Sequence, residues 1–155
     1  MLRKVKSSKA AARGCRFAIV ASKYNGRYVD AMLRAAKEEL KRAGAEVRVV
    51  RVPGAYEIPV AAARLARMSQ PRCAAVICLG VILRGQTVHA AHIGDSVSRA
   101  LMQIQLETEV PVIHEVLLLE NVEQARMRCL DAKHNRGREA AQTALEMARV
   151  MMELN

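Results

Sequence analysis

The sequence predicts an α/β fold, a three-layer α/β/α sandwich built on a four-stranded parallel sheet of strand order 2-1-3-4. Three observations predict it. Short apolar runs alternate with amphipathic helical stretches along the 155 residues, and that alternation calls for parallel strands, right-handed crossovers and helices on both faces. The run Cys73 to Ile82 contains no polar side chain, which marks a strand buried on both faces at the sheet centre. The length suits one domain, so all the elements share one framework.

Phe17-Ala-Ile-Val-Ala21 is the first strand, a continuous apolar run. Val29, Met32, Leu33, Ala36, Leu40 and Ala43 then fall on one helical stripe opposite Arg34, Lys37, Glu38 and Lys41, and Gly44 stands where a helix C-terminal glycine belongs. Val47 to Val52 is the second strand, closed by Pro53-Gly54. An Ala- and Leu-rich helix runs from Ile58 to Met68 and stops before Pro71. Cys73 to Ile82 is the third strand. A helix from about Ala91 to Thr108 turns Ile93, Val97, Ala100, Leu101 and Ile104 to one side. Val110 to Leu118 is the fourth strand, with Pro111 at its start, where a missing donor is tolerated. Asn121 and Gln124 have capping-box spacing for a short helix to about Asp131. Arg138 to Leu154 closes the chain as a helix whose stripe is Ala141, Ala144, Leu145, Ala148, Met151 and Met152, the methionines serving as core filler.

Composition excludes several classes. Apolar residues make up 52% and charged residues 26%, which fits a soluble globular protein and not a disordered one. The longest uncharged apolar run, Cys73 to Leu83, is too short to span a bilayer. Lys23 ends the apolar stretch after Phe17 too early for a secretory signal, so no membrane partner and a cytoplasmic location are expected. The formal net charge of +10 suits phosphorylated or polyanionic partners. Arg3, Lys4, Lys6, Lys9, Arg13 and Arg16 all precede the first acid, Asp30, and suggest a basic arm over residues 1–15 before a single domain over 16–155. Phe17, Tyr24, Tyr28 and Tyr56 are the only aromatics, which disfavours a base-stacking nucleic-acid surface. Cys15, Cys73, Cys78 and Cys129 form no C-x-x-C pair and read as free thiols of a reducing compartment. The odd separation of Cys73 and Cys78 would place them on opposite faces of one strand.

Ligands of doubly wound sheets collect beyond the carboxyl ends of the strands. There the sequence places Lys23-Tyr24-Asn25-Gly26, Pro53-Gly-Ala-Tyr-Glu57, Arg84-Gly-Gln-Thr-Val-His89 and Glu120-Asn121. Gly85-Gln86-Thr87 opens a helix, and free backbone N–H groups with the helix dipole make such a turn an anion site. It is no P-loop, because the lysine and second glycine are missing. His89, two residues on, suits proton transfer near neutral pH, although a plain surface histidine would look the same. His89 and His92 share a helix face, but no third ligand is apparent and no metal is expected. Arg128 and Arg136 flank the last loop and could hold phosphate; Glu57 could accept bonds from sugar-like hydroxyls or cap the following helix.

Taken together, Tyr24-Asn25, Val52-Pro-Gly-Ala-Tyr-Glu-Ile-Pro59, Leu79-Gly80 through Arg84-Gly85 to Thr87-x-His89, Asn121-Val-Glu-Gln-Ala125 with Arg128, and Ala144-Leu-Glu-Met-Ala148 resemble the 6,7-dimethyl-8-ribityllumazine synthase family. The resemblance runs from about Arg16 to Leu154 and implies a flavodoxin-like fold. It implies condensation of 5-amino-6-(D-ribitylamino)uracil with 3,4-dihydroxy-2-butanone 4-phosphate, without metal or organic cofactor. A non-catalytic relative that binds flavin-like ligands or polyanions is the alternative. By position, Tyr24 would stack on the pyrimidine, with Asn25 beside it. Ala55, Tyr56 and Glu57 would line the ribityl chain, and Val81, Ile82 and Leu83 would meet the uracil edge through their backbone. Gln86, Thr87 and Arg128 would hold phosphate, and His89 would transfer protons.

The chain departs from the family pattern in Ala90-Ala91-His92, where an aromatic and an Asp usually follow the histidine. His114 replaces a Phe that packs near the neighbouring subunit's ring site, and Arg136 replaces a lysine. The resemblance also implies a homopentamer with sites between subunits, or a shell of twelve pentamers, and riboflavin synthase as a candidate partner. The stretch Cys129 to Gly137 has the length found in shell formers, with His134 in place of their glycine. The face bearing Ile93, Val97 and Leu101 is expected to meet the neighbouring subunit.

Overall fold

The computed structural model describes residues 12–85 and 88–155. Its strands are β1 (Arg16–Ser22), β2 (Glu46–Val52), β3 (Ala75–Leu83) and β4 (Val112–Leu119). They form one parallel sheet of order β2-β1-β3-β4. The helices are α1 (Gly26–Arg42), α2 (Ile58–Arg67), α3 (His89–Thr108), α4 (Val122–Ala125) and α5 (Arg136–Glu153). A 3₁₀ turn, Ala55–Glu57, leads into α2, and a wider π-type turn, Arg126–Leu130, follows α4.

The strand pattern explains the three layers. Phe17, Ile19 and Ala21 join Ile77, Leu79, Met32, Leu40, Ala141 and Ala144 in a core between the sheet and α1/α5. Ala18 and Val20 join Val76, Cys78, Ile58, Leu65, Val97 and Leu101 in a second core under α2/α3. Successive residues of a strand face opposite ways, so continuous apolar runs feed both cores. β3 is buried along all but its last residue and lies between β1 and β4, the central place its composition predicts.

Several details differ from the sequence reading. Helix α1 begins three residues before its apolar stripe, and α3 and α5 each begin two residues before their expected starts at Ala91 and Arg138, because the first turn carries polar or small residues that a periodicity count passes over. Cys73 and Cys78 occupy the same core under α2/α3; β3 begins only at Ala75, so strand alternation does not extend to Cys73. Met152 is 45% exposed near the end of α5 and is not core filler. The face expected to meet a neighbour also changes: Val97 and Leu101 are buried within this chain, and Met102 and Leu106 are exposed instead, beside Ser98 and Arg99.

Gly44 has φ 78° and ends α1 as expected, since a side chain there would be strained. Of the expected basic arm, residues 1–11 lie outside the described residues. Ala12 is buried, and Gly14 donates its N–H to the Gly44 carbonyl at 3.3 Å. No helix among the described residues is long and apolar enough to cross a membrane.

Candidate functional site

The carboxyl ends of β1, β2 and β3 open into a cleft of ≈ 570 Å³. Tyr24, Asn25, Ala55, Tyr56, Glu57, Val81, Ile82, Leu83 and His89 all line it. These sequence-selected residues come from four segments, and parallel topology delivers each segment to the same end of the sheet.

Local chemistry fixes the walls. Asn25 takes the left-handed conformation (φ 56°, ψ 40°) ahead of α1 and donates Nδ2–H to the Val81 carbonyl at 2.7 Å, tying the β1 loop to β3. Tyr24, 68% exposed, lays its ring over Gly54; a Cβ there would stand 2.8 Å from Tyr24 Cδ2. Glu57 Oε2 accepts the Gly54 N–H at 3.0 Å, so the capping role is present. Pairing of β1 with β3 stops at Ala21 with Leu79, while β3 continues to Leu83. Its last residues, Val81, Ile82 and Leu83, overhang β1 and line the cleft. Arg84 is tied to β4 by its N–H on the Leu119 carbonyl at 2.8 Å and by an ion pair with Glu120 at 2.7 Å.

His89 is the first residue of α3 and lines the cleft. Gln86 and Thr87, selected for phosphate, lie outside the described residues. The cleft also takes Gly54, His92, Ile93 and Ser96, which the sequence reading did not select as substrate contacts. The signal was available, because residues three, four and seven positions beyond His89 share its helix face.

His114, Arg128 and Arg136 do not line this cleft. His114 lies on β4 toward α3. Its Nδ1 accepts the Val116 N–H at 3.2 Å, which places the proton on Nε2, 2.7 Å from Ser98 Oγ. Burial holds its pKa below the usual histidine value, favouring the neutral ring. The two arginines lie across the sheet, toward α5. Glu115 points there too; it is 9% exposed, and burial pushes its carboxyl up to about 7 despite Arg136 Nε at 3.4 Å. An acid inside the apolar run Val112–Leu119 is the signal that marks Glu115, and the sequence reading missed it.

Asn121 Oδ1 accepts the Gln124 N–H at 2.9 Å, as its spacing predicts, and Gln124 Oε1 returns a bond to Glu120 N–H at 2.9 Å. Before α5, Asn135 Oδ1 accepts from Gly137 N–H at 2.8 Å while its Nδ2 donates to the Cys129 carbonyl at 2.8 Å. This buried amide fixes the loop that carries Arg136. Burial pushes the Cys78 thiol up to about 12 and that of Cys129 to about 11, so both stay protonated and poorly nucleophilic. No group of three or more His, Cys, Asp or Glu among the described residues is arranged to hold a metal.

Residues 14–152 match the family model described as 6,7-dimethyl-8-ribityllumazine synthase. A protein of that name from Xanthomonas campestris pv. campestris (strain B100) is 44% identical over 139 residues, 88% of this chain and 89% of the relative. Another, from Stenotrophomonas maltophilia (strain K279a), is 42% identical over 142 residues, 90% of each chain. With nearly its whole length matched, the chain belongs to the 6,7-dimethyl-8-ribityllumazine synthase family.

Proposed function

We propose that the cleft holds 5-amino-6-(D-ribitylamino)uracil and that a neighbouring copy completes it with His114, Arg128 and Arg136. The reaction is the lumazine synthase condensation with 3,4-dihydroxy-2-butanone 4-phosphate. It forms two carbon–nitrogen bonds between the aminouracil's nitrogens and the four-carbon butanone and releases phosphate and two water molecules. The observation that carries the site assignment is the convergence of Tyr24, Tyr56, Glu57, the β3 overhang and His89 on one cleft.

Each group has a task matched to its chemistry. The exposed Tyr24 ring offers a flat face for the pyrimidine to stack on. Main-chain groups of Ile82 and Leu83 supply donors and acceptors for the uracil edge, while Asn25 holds the strand in place through Val81. Glu57 Oε1 accepts a ribityl hydroxyl. The amine attacks the ketone, and His89 takes and returns protons as water and then phosphate leave. Imidazole suits this because it exchanges protons near neutral pH. Gln86 and Thr87, just ahead of α3, meet the phosphate with Arg128.

Mixing the protein with both substrates and following lumazine fluorescence tests the reading. Formation no faster than the spontaneous condensation would favour the binding-only alternative.

Arg128→Ala should weaken binding of the phosphorylated butanone by about one to two decades, because a charge-assisted hydrogen bond contributes roughly 1.5–3 kcal/mol. The aminouracil carries no phosphate and should bind nearly as before. Titration of each substrate separately checks this, and equal losses would remove Arg128 from the phosphate site.

A site shared between copies requires an assembly. The exposed Met102 and Leu106, on the same helix as the Ser98 that bonds His114, give α3 an apolar outer face for a heterologous ring contact. Sedimentation should find a pentamer as the smallest active species, and a salt series should separate it from a sixty-subunit shell. Full activity in a monomer would overturn the shared site. A cytoplasmic location fits this small-molecule chemistry.

A further inference from the structure

The buried carboxylate of Glu115 has no place in the chemistry above, yet it meets a residue assigned to the substrate. It lies on β4 with its side chain 12% exposed, and Arg136 Nε stands 3.4 Å from its Oε2. On α5, Glu139 Oε2 takes the other side of the same guanidinium, 3.2 Å from Nη1. Arg128 and the Cys129 thiol face Glu115 from the π-type turn. Two carboxylates thus hold one arginine, itself 37% exposed. Any anion that arrives at Arg136 must compete with them.

We propose that Glu115 is a positioning residue that competes with the substrate's phosphate for the Arg136 guanidinium and so sets how tightly this face binds an anion. The proposal rests on the reading that Arg136 and Arg128 meet that phosphate in the assembled enzyme. The competition is proton-linked. Burial raises the Glu115 carboxyl to about 7, with Glu139 adding to the rise and Arg136 and Arg128 opposing it. At pH 8 the group is mostly charged and occupies Arg136. At pH 6 it is mostly neutral, its hold on the guanidinium is weaker, and the net positive charge of the cluster is greater. Anion binding therefore favours the protonated form and draws a proton onto Glu115, as thermodynamic reciprocity demands.

The sign distinguishes this from a scaffolding role. If Glu115 only anchored Arg136, its neutral isostere would loosen the arginine and weaken anion binding. If it competes, the isostere strengthens binding.

The test uses the assembled wild-type enzyme, Glu115→Gln and Arg136→Ala, with sulfate as the probe because sulfate remains a dianion from pH 6 to pH 8. Sulfate affinity is read by calorimetry at both pH values. Glu115→Gln is expected to bind sulfate about fivefold or more tightly than wild type at pH 8, the lower range of typical site-to-site coupling. At pH 6 the two proteins should converge. Every other residue is common to both, so the difference isolates residue 115. Weaker or unchanged binding by Glu115→Gln at pH 8, with Arg136→Ala clearly weakened, would overturn the proposal and leave the arginine assignment standing. Unchanged binding by Arg136→Ala would overturn the arginine assignment and the proposal together. Proton uptake on sulfate binding to wild type, measured near pH 7 in two buffers of different ionisation enthalpy, needs no variant. Zero uptake would also overturn the proposal.

Discussion

His89→Ala is expected to slow single-turnover condensation by roughly two to four decades, the usual contribution of a positioned proton-transfer group. The ring stands on the opening turn of α3, on the same cleft wall as Tyr24, Tyr56 and the end of β3. Phosphate cannot leave, nor can the new ring close, without protons moving among nitrogen, carbon and oxygen atoms. Removing the imidazole should change those steps and leave the stacking and hydroxyl contacts intact. Binding of the aminouracil alone should therefore change little, and slow turnover should persist, since the two substrates condense without a catalyst. His92 shares the cleft and supplies a control. If His89→Ala reacts at the wild-type rate, the surface reading of this histidine is right. If His92→Ala is the slower of the two, the proton-transfer role belongs one helical turn further on.

The sheet was legible because burial writes itself into composition. β3, closed in by neighbours and by helices on both faces, carries no polar side chain, and its central place followed. The cleft was legible for a related reason: parallel topology sends every strand's carboxyl end to the same side, so polar loop residues distant in sequence had to meet. Other features depend on three-dimensional packing that no periodicity encodes. Helix α3 packs its expected stripe, Val97 and Leu101, against its own sheet and leaves Met102 and Leu106 outside; periodicity picked the stripe but not what it would meet. His114, Arg128 and Arg136 resembled members of one site when read by position, but in the single chain they lie away from the cleft and on two different sides of the sheet. Glu115 was marked in the sequence only as an acid within a mostly apolar strand, and its burial against Arg136 shows what it meets.

Gly137→Ala is expected to destabilise the protein, although the same change at Gly94 should stabilise it slightly. Both glycines lie in helices, where alanine is favoured over glycine by roughly 1 kcal/mol, so propensity alone predicts a gain at both. Their surroundings differ. A Cβ on Gly94 would meet Leu118 Cδ2 at 3.7 Å, an ordinary contact. A Cβ on Gly137 would stand 2.1 Å from the Met32 carbonyl oxygen and 2.5 Å from Met32 C and Cα. Those are backbone atoms inside α1, and no rotamer change can move them away. Helix α5 would have to lift from α1, opening the contact in which Ala140, Ala141 and Ala144 are fully buried. It would also pull on the Asn135 bond to Gly137 N–H that orients the turn before Arg136. Overpacking of this kind typically costs about 1–3 kcal/mol and occasionally more, and an unyielding backbone partner points to the upper end. Urea unfolding at equal protomer concentration checks the pair, because assembly adds to apparent stability by mass action. The midpoint should fall for Gly137→Ala and rise slightly for Gly94→Ala. A rise for both would mean that α1 and α5 separate at little cost, and that the tight crossing does not hold the Arg136 loop in place.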